Sequence, residues 1–251
     1  MSIKNYIPNL ITLLNLFCGC IAAIFAVHSN FVAAAAFVFL GIFFDFFDGL
    51  LARKLNVQSE LGLQLDSLAD MVTSGLVPGI VMFKLISLSS NAPEMITPDD
   101  WSADFSLKNL SIAPLALIGL FVTLASAYRL AKFNLDDEQQ TYFKGLPTPA
   151  NALLILSLPL IIEFQNSNFV SALILNQWFL IGFTILSCYL LNSSVKLLAL
   201  KFKDYSLVNN KFRYVLMLST IILLIVFQFL AIPLVIIVYI LLSLLDNLTT
   251  K

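Results

Sequence analysis

The sequence predicts an all-α fold: a polytopic transmembrane helix bundle of about eight spans. Three observations carry this prediction. Of the 251 residues, 59% are hydrophobic and only 12% are charged, where an ordinary soluble domain carries about 25% charge. The mean hydropathy is +0.92, and the shortage of charge runs the whole length, which excludes a soluble domain with one anchor. Finally, the chain divides into apolar runs of about 20 residues, the length at which a helix crosses a bilayer.

The apolar runs number eight. Residues 6–28 are too long for a signal peptide and carry Pro8-Asn9 near their start. Residues 31–54 end on Arg53 and Lys54, and 61–88 return after a short turn. Span 109–134 closes near Arg129 and Lys132. Span 147–164 opens on Pro147 and Pro149, which suit a helix start. Residues 169–192 form the sixth span. The last two, 212–230 and 232–247, are separated only at Ala231, Ile232 and Pro233. The outer loop 89–108 is the longest polar interruption and reads as solvated. With no repeat, low-complexity tract or linker, residues 1–251 read as one integral membrane domain.

Lysines and arginines set the orientation. With eight spans and both termini inside, Lys4, Arg53, Lys54, Arg129, Lys132, Lys144, Lys196, Lys201, Lys203, Lys211, Arg213 and Lys251 lie on the cytoplasmic side. Only Lys84 and Lys108 fall outside, beside Glu94, Asp99, Asp100 and Asp104. An odd count would destroy that asymmetry.

Composition also removes function classes. A net charge of -1 gives no basic footprint for nucleic acid. Cys18, Cys20 and Cys188 lie in apolar runs and read as small buried hydrophobes. The single His28 reads as an interfacial residue, so a histidine metal centre is excluded.

Against this background, "FFDFFDGLLARKLNVQSELGLQLDSLADMV", residues 43–72, holds four aspartates, Asp45, Asp48, Asp66 and Asp70. Measured from the inner turn, Asp48 and Asp66 each lie about 9 Å up their helices, Asp45 about 14 Å and Asp70 about 15 Å. The spacing predicts that a helical hairpin gathers them in one cluster. Asp45, Asp48, Gly49, Ala52 and Arg53 form one helical stripe, and Gly62, Asp66, Asp70, Thr73 and Ser74 another. The small residues either leave room for a ligand or serve close helix packing.

Four acids in an apolar setting are unfavourable, each costing up to about 2.5–3.5 kcal/mol at a helix centre, and Arg53 can neutralise only one. Protonation is one escape. A hard divalent cation, Mg²⁺, Mn²⁺ or Ca²⁺, is the stronger one, because an all-oxygen ligand set suits it. Two such ions would balance four carboxylates and present a positive platform for a lipid pyrophosphate.

The stretch Asp45-x2-Asp48-Gly49-x2-Ala52-Arg53-x8-Gly62-x3-Asp66-x3-Asp70 resembles the signature of the CDP-alcohol phosphotransferase family, with every fixed position filled. The resemblance covers residues 1 to about 152. It implies that family's fold, a homodimer, and transfer of a phosphatidyl group from a CDP-linked donor to an alcohol with release of CMP. It also implies that Asp45, Asp48 and Asp66 hold metal, with Asp70 as further ligand or general base. Gly49, Ala52 and Gly62 would admit the nucleotide, Asp45 would face it as well as the metal, and Arg53 would engage phosphate. "IPNLITLLNL" is similar to the family's amino-terminal element, in which Asn9 and Thr12 would face the CDP group.

"YRLAKFN", residues 128–134, and "FKGLPTPANA", residues 143–152, are similar to motifs of the membrane-embedded phosphatidylserine synthase subfamily. That similarity implies CDP-diacylglycerol and L-serine as substrates. Arg129 and Lys132 are then candidates for the serine carboxylate, or simply snorkelling inner-end cations. Asp136, Asp137 and Glu138 read as a solvated inner loop. Two alternatives stand beside this reading: another acceptor, such as glycerol 3-phosphate, an inositol phosphate or an amino alcohol; and a cation transporter with the aspartates as its path.

Overall fold

The computed structural model describes residues 6–90, 114–135, 142–165, 167–198, 206 and 210–249. Glu94, Asp99, Asp100, Asp104 and Lys108 of the expected outer loop lie outside the described residues. So do the loop acids Asp136, Asp137 and Glu138, and Lys4, Lys201, Lys203 and Lys251.

Helices α1 (Tyr6–Val27) and α2 (Phe31–Lys54) form the first hairpin. Asn30 opens α2 by accepting a hydrogen bond from Ala33 N at 3.2 Å, and His28 is exposed in the turn. Ala22 and Ala26 of α1 and Ala34 and Ala35 of α2 are buried, which lets backbones approach closely. A second turn at residues 55–59 leads to α3 (Glu60–Asp70). The chain continues through a π-turn, Met71–Leu76, into α4 (Val77–Ser89).

A 3-10 stretch, Pro114–Leu120, enters α5 (Phe121–Leu135). Strand β1 (Tyr142–Lys144) precedes α6 (Thr148–Phe164), α7 (Asn168–Ile174) and α8 (Gln177–Asn192). Strand β2 (Lys196–Leu198) pairs antiparallel with β1, with Tyr142 opposite Leu198 and Lys144 opposite Lys196. Helices α9 (Lys211–Phe227) and α10 (Ala231–Thr249) are the last described elements. The all-α expectation thus holds but for this small ribbon, whose three-residue strands are too short to leave a period-2 pattern.

The core lies among α1, α2, α4, α6 and α8, with Val38, Val81, Met82, Leu85, Ile155 and Leu180 fully buried. Phe43, Phe46, Leu124, Trp178, Ile221 and Ile225 are exposed, an outward-facing apolar surface that belongs in lipid. Cysteines 18, 20 and 188 are all free thiols. Cys18 is buried as expected, but Cys20 is exposed, because neighbouring positions on a membrane helix face lipid as readily as core.

Among the described residues, five helical stretches are long and apolar enough to cross a membrane: Tyr6–Val27, Phe31–Lys54, Glu60–Ser89, Pro114–Leu135 and Lys211–Thr249. A sixth arises if α7 and α8, bent by 64° at their junction, are one span. The expected count of eight is therefore not confirmed. Helix α6 has only 17 residues, about 25 Å at the α-helical rise. Within Lys211–Thr249, Gln228 takes φ 49° and α9 and α10 pack on each other, so the break falls at Gln228–Leu230, just before the expected position.

Thr73 ties the first three spans together. Its hydroxyl donates to Asn15 O at 3.2 Å, and it sits against Gly19 and Gly41, where a Cβ at either would meet the Thr73 side chain. Overpacking of this kind costs about 1–3 kcal/mol. Gly19→Ala is accordingly expected to lower the thermal midpoint of the detergent-solubilised protein; an unchanged midpoint would show that the contact yields.

Candidate active site

Asp45 and Asp48 lie on the last turns of α2, Asp66 and Asp70 on α3, and the hairpin brings the two pairs together. One carboxylate oxygen each from Asp45, Asp48 and Asp66 lies within 4.8 Å of the others. Asp48, 5% exposed, accepts from Thr12 Oγ1 at 2.5 Å, and the same hydroxyl stands 3.1 Å from Pro8 O. Asp45 and Asp66 face each other at hydrogen-bond range. Asp66 Oδ1 is buried without a hydrogen-bond partner among the described residues.

These carboxylates line a cavity of about 520 Å³, within the usual range for a small-molecule site. Asn9, Thr12, Asp45, Gly49, Ala52, Arg53 and Gly62, all expected to face the nucleotide, share this lining with Asp48 and Asp66. The inner turn contributes Val57, Gln58 and Ser59. Ser59 also caps α3, its Oγ accepting from Gly62 N at 3.1 Å. Arg53 is exposed at the rim, where its Nε donates to Gly49 O at 3.0 Å.

The two roles for small residues separate in space. Gly49, Ala52 and Gly62 border the cavity, whereas Thr73 and Ser74, expected on the same stripe as Asp66, are buried in helix packing. The π-turn that begins at Met71 is the reason, since it winds wider than an α-turn and rotates the residues beyond it.

Asp70 closes α3 and is not part of the three-carboxylate group. It accepts from Asn15 Nδ2 at 3.4 Å, within electrostatic range of Asp48, Asp66 and Arg129. Asn15 is fully buried, and its Oδ1 has no hydrogen-bond partner among the described residues. Sequence reasoning passed over it, although Asn9, Thr12 and Asn15 repeat every three residues in an otherwise apolar run, a signal that was there to be read.

Arg129, 8% exposed, and Lys132, exposed, lie on α5. They line a separate narrow recess with Lys144 of β1 and with Asn192 and Ser193 at the end of α8. Lys144 and Asn192 reach this recess through tertiary packing alone, which spacing does not signal.

The donor set tests the expectation of a metal. Three carboxylates converge, one buried oxygen among them lacks a partner among the described residues, and Asp45 faces Asp66. Without a cation or shared proton that arrangement is repulsive. An oxygen-only group of this size fits a hard divalent cation.

A sequence model of the CDP-alcohol phosphatidyltransferase family matches residues 5–190. The chain is 36% identical over 155 residues to the CDP-diacylglycerol–serine O-phosphatidyltransferase of Bacillus subtilis, covering 61% of this chain and 76% of that one. It is 30% identical over 151 residues to the protein of the same name from Helicobacter pylori, covering 59% and 55%. With the protein so named from Saccharomyces cerevisiae it shares 30% identity over 169 residues, covering 61% and 53%. The chain thus spans about three quarters of the Bacillus relative and about half of the other two.

Proposed function

The chain belongs to the CDP-alcohol phosphatidyltransferase family, and on that premise we propose that it is a phosphatidylserine synthase. It would transfer the phosphatidyl group of CDP-diacylglycerol to the hydroxyl of L-serine and release CMP. The observation that carries this reading is one cavity in which six nucleotide-facing candidates, Asn9, Thr12, Gly49, Ala52, Arg53 and Gly62, surround the three converging carboxylates. The relatives' names supply the donor and acceptor. Membership in a transferase family leaves the cation-transporter alternative without support.

In this reading the CDP group lies against Gly49, Ala52 and Gly62, with Asn9 and Thr12 beside it and Arg53 on a phosphate. Asp45, Asp48 and Asp66 would hold divalent metal, proposed as two Mg²⁺ or Mn²⁺ ions with Asp70 as a further ligand. When bound, such ions supply positive charge against the diphosphate. Thr12 fixes the orientation of Asp48.

Asp70, held by Asn15, takes the proton from the serine hydroxyl. The freed oxygen forms its bond to the phosphorus bearing diacylglycerol as the bond from that phosphorus to the bridging oxygen breaks, and CMP departs. No protein nucleophile is needed. Arg129 and Lys132 would hold the serine carboxylate.

The chain is a multi-pass membrane protein. We further propose that residues 1–251 act as one catalytic domain, in a homodimer, in the cytoplasmic membrane. Both termini and the active site would lie on the cytoplasmic side, the side to which the lysine and arginine distribution assigns Arg53, Lys54, Arg129 and Lys132.

Offering labelled CDP-diacylglycerol with each alcohol separately, in detergent with Mg²⁺ and with Mn²⁺, tests the assignment. L-serine is expected to give phosphatidylserine and stoichiometric CMP, and chelation to abolish both. Preferential transfer to glycerol 3-phosphate or an inositol phosphate would replace the serine reading.

A further inference from the structure

We propose that the recess between α5, β1 and the end of α8 receives the acceptor as a zwitterion, with Asn192 Oδ1 accepting from its ammonium while Lys144 joins Arg129 and Lys132 on its carboxylate. This deepens the serine reading and rests on it.

The recess is electrically two-sided. Arg129, Lys132 and Lys144 supply three cationic side chains. Arg129 is 92% buried by its 8% exposure, and its Nε has no hydrogen-bond partner among the described residues. Buried polar groups ordinarily find partners, so a donor left open here points to an anionic ligand. Asn192 supplies the opposite need. Its Nδ2 donates to Ala125 O at 3.1 Å and Cys188 O at 3.4 Å, which fixes the amide's orientation. Its Oδ1 is buried with no donor among the described residues. A carboxylate alone, or a phosphate, would answer the cations and leave Asn192 unsatisfied. An α-amino acid answers both.

The geometry holds the two halves in place. Gly145 N donates to Val195 O at 2.9 Å and Leu146 N to Leu190 O at 2.8 Å, fastening the chain after Lys144 to the end of α8. Gly145 takes φ 76°, and a Cβ there would strike the carbonyls of Leu190, Leu191 and Ser193. The recess measures about 20 Å³, room for one or two groups the size of water. That is too small for an inositol ring and has room for no more than a small charged group. Arg129 lies within electrostatic range of Asp70. A serine seated by its charged end therefore has only one methylene between the recess and the hydroxyl that must reach the base.

The test uses the full-length protein in detergent with saturating metal. Asn192→Ala and Lys144→Ala are each expected to raise KM for L-serine about tenfold or more, the scale of a hydrogen bond to a charged group, while KM for CDP-diacylglycerol stays within twofold. On the wild type, L-alanine, a zwitterion without the hydroxyl, is expected to compete with L-serine. Propionate and ethylamine, each lacking one charge, should compete at least tenfold less well. If the variants do not fold, the wild-type inhibitor series decides. Propionate competing as well as L-alanine, or an unchanged KM for L-serine in Asn192→Ala, overturns the proposal. Failure of the serine reading shows separately, as a wild type that uses another alcohol and not L-serine, and takes this proposal with it.

Discussion

Asp70→Asn is expected to lower turnover by about 10²–10⁴-fold, the usual contribution of a general base, while the protein remains folded in the membrane. The amide is isosteric with the carboxylate, and its oxygen can still accept from Asn15 Nδ2, which now meets Asp70 at 3.4 Å. What disappears is the capacity to take a proton. CMP release from CDP-diacylglycerol and L-serine measures the loss, and the detergent thermal midpoint checks the fold. Near-normal turnover would remove Asp70 from the base role and leave it a purely structural or metal-facing group.

Asp66→Asn should have an effect of similar or larger size by a different route. Outer partners of a metal site cost about 10–100-fold when removed, and Asp66 contributes an oxygen directly to the three-carboxylate group. At a Mn²⁺ concentration that saturates the wild type, activity is expected to fall by at least about 10²-fold. Part of it should return as the ion is raised. The stabilisation that added metal gives the wild type, which arises from binding to the folded state alone, should also be lost. An unchanged metal titration in Asp66→Asn would place the ions elsewhere.

How much of this was legible depends on which residues are asked about. Asp45, Asp48, Gly49, Ala52 and Arg53 are separated by α-helical steps within one unbroken helix, so the face they share can be read from spacing, and all five border the cavity. The same arithmetic on the next helix serves Gly62 and Asp66 but fails at Thr73 and Ser74. The π-turn at Met71 intervenes, and nothing in its residues announces it. The bend between α7 and α8 did leave a trace. Asn176 is a helix-capping residue inside an apolar run, and its Oδ1 accepts from Trp178 N and Phe179 N. The meeting of Lys144 with Asn192 left none, because it depends on how distant helices dock.

The π-turn has a structural cost for the span that contains it. It accommodates one residue more than an α-helix of equal height, so everything from Val77 onward is offset by about 100° of azimuth from Asp66 and Asp70. The acid-bearing half of the span and the half that carries Val77, Val81 and Leu85 into the core are therefore out of phase by design of the backbone. Deleting any one residue of Met71–Leu76 would realign them, and the helix could then keep its packing or its carboxylates in place, never both.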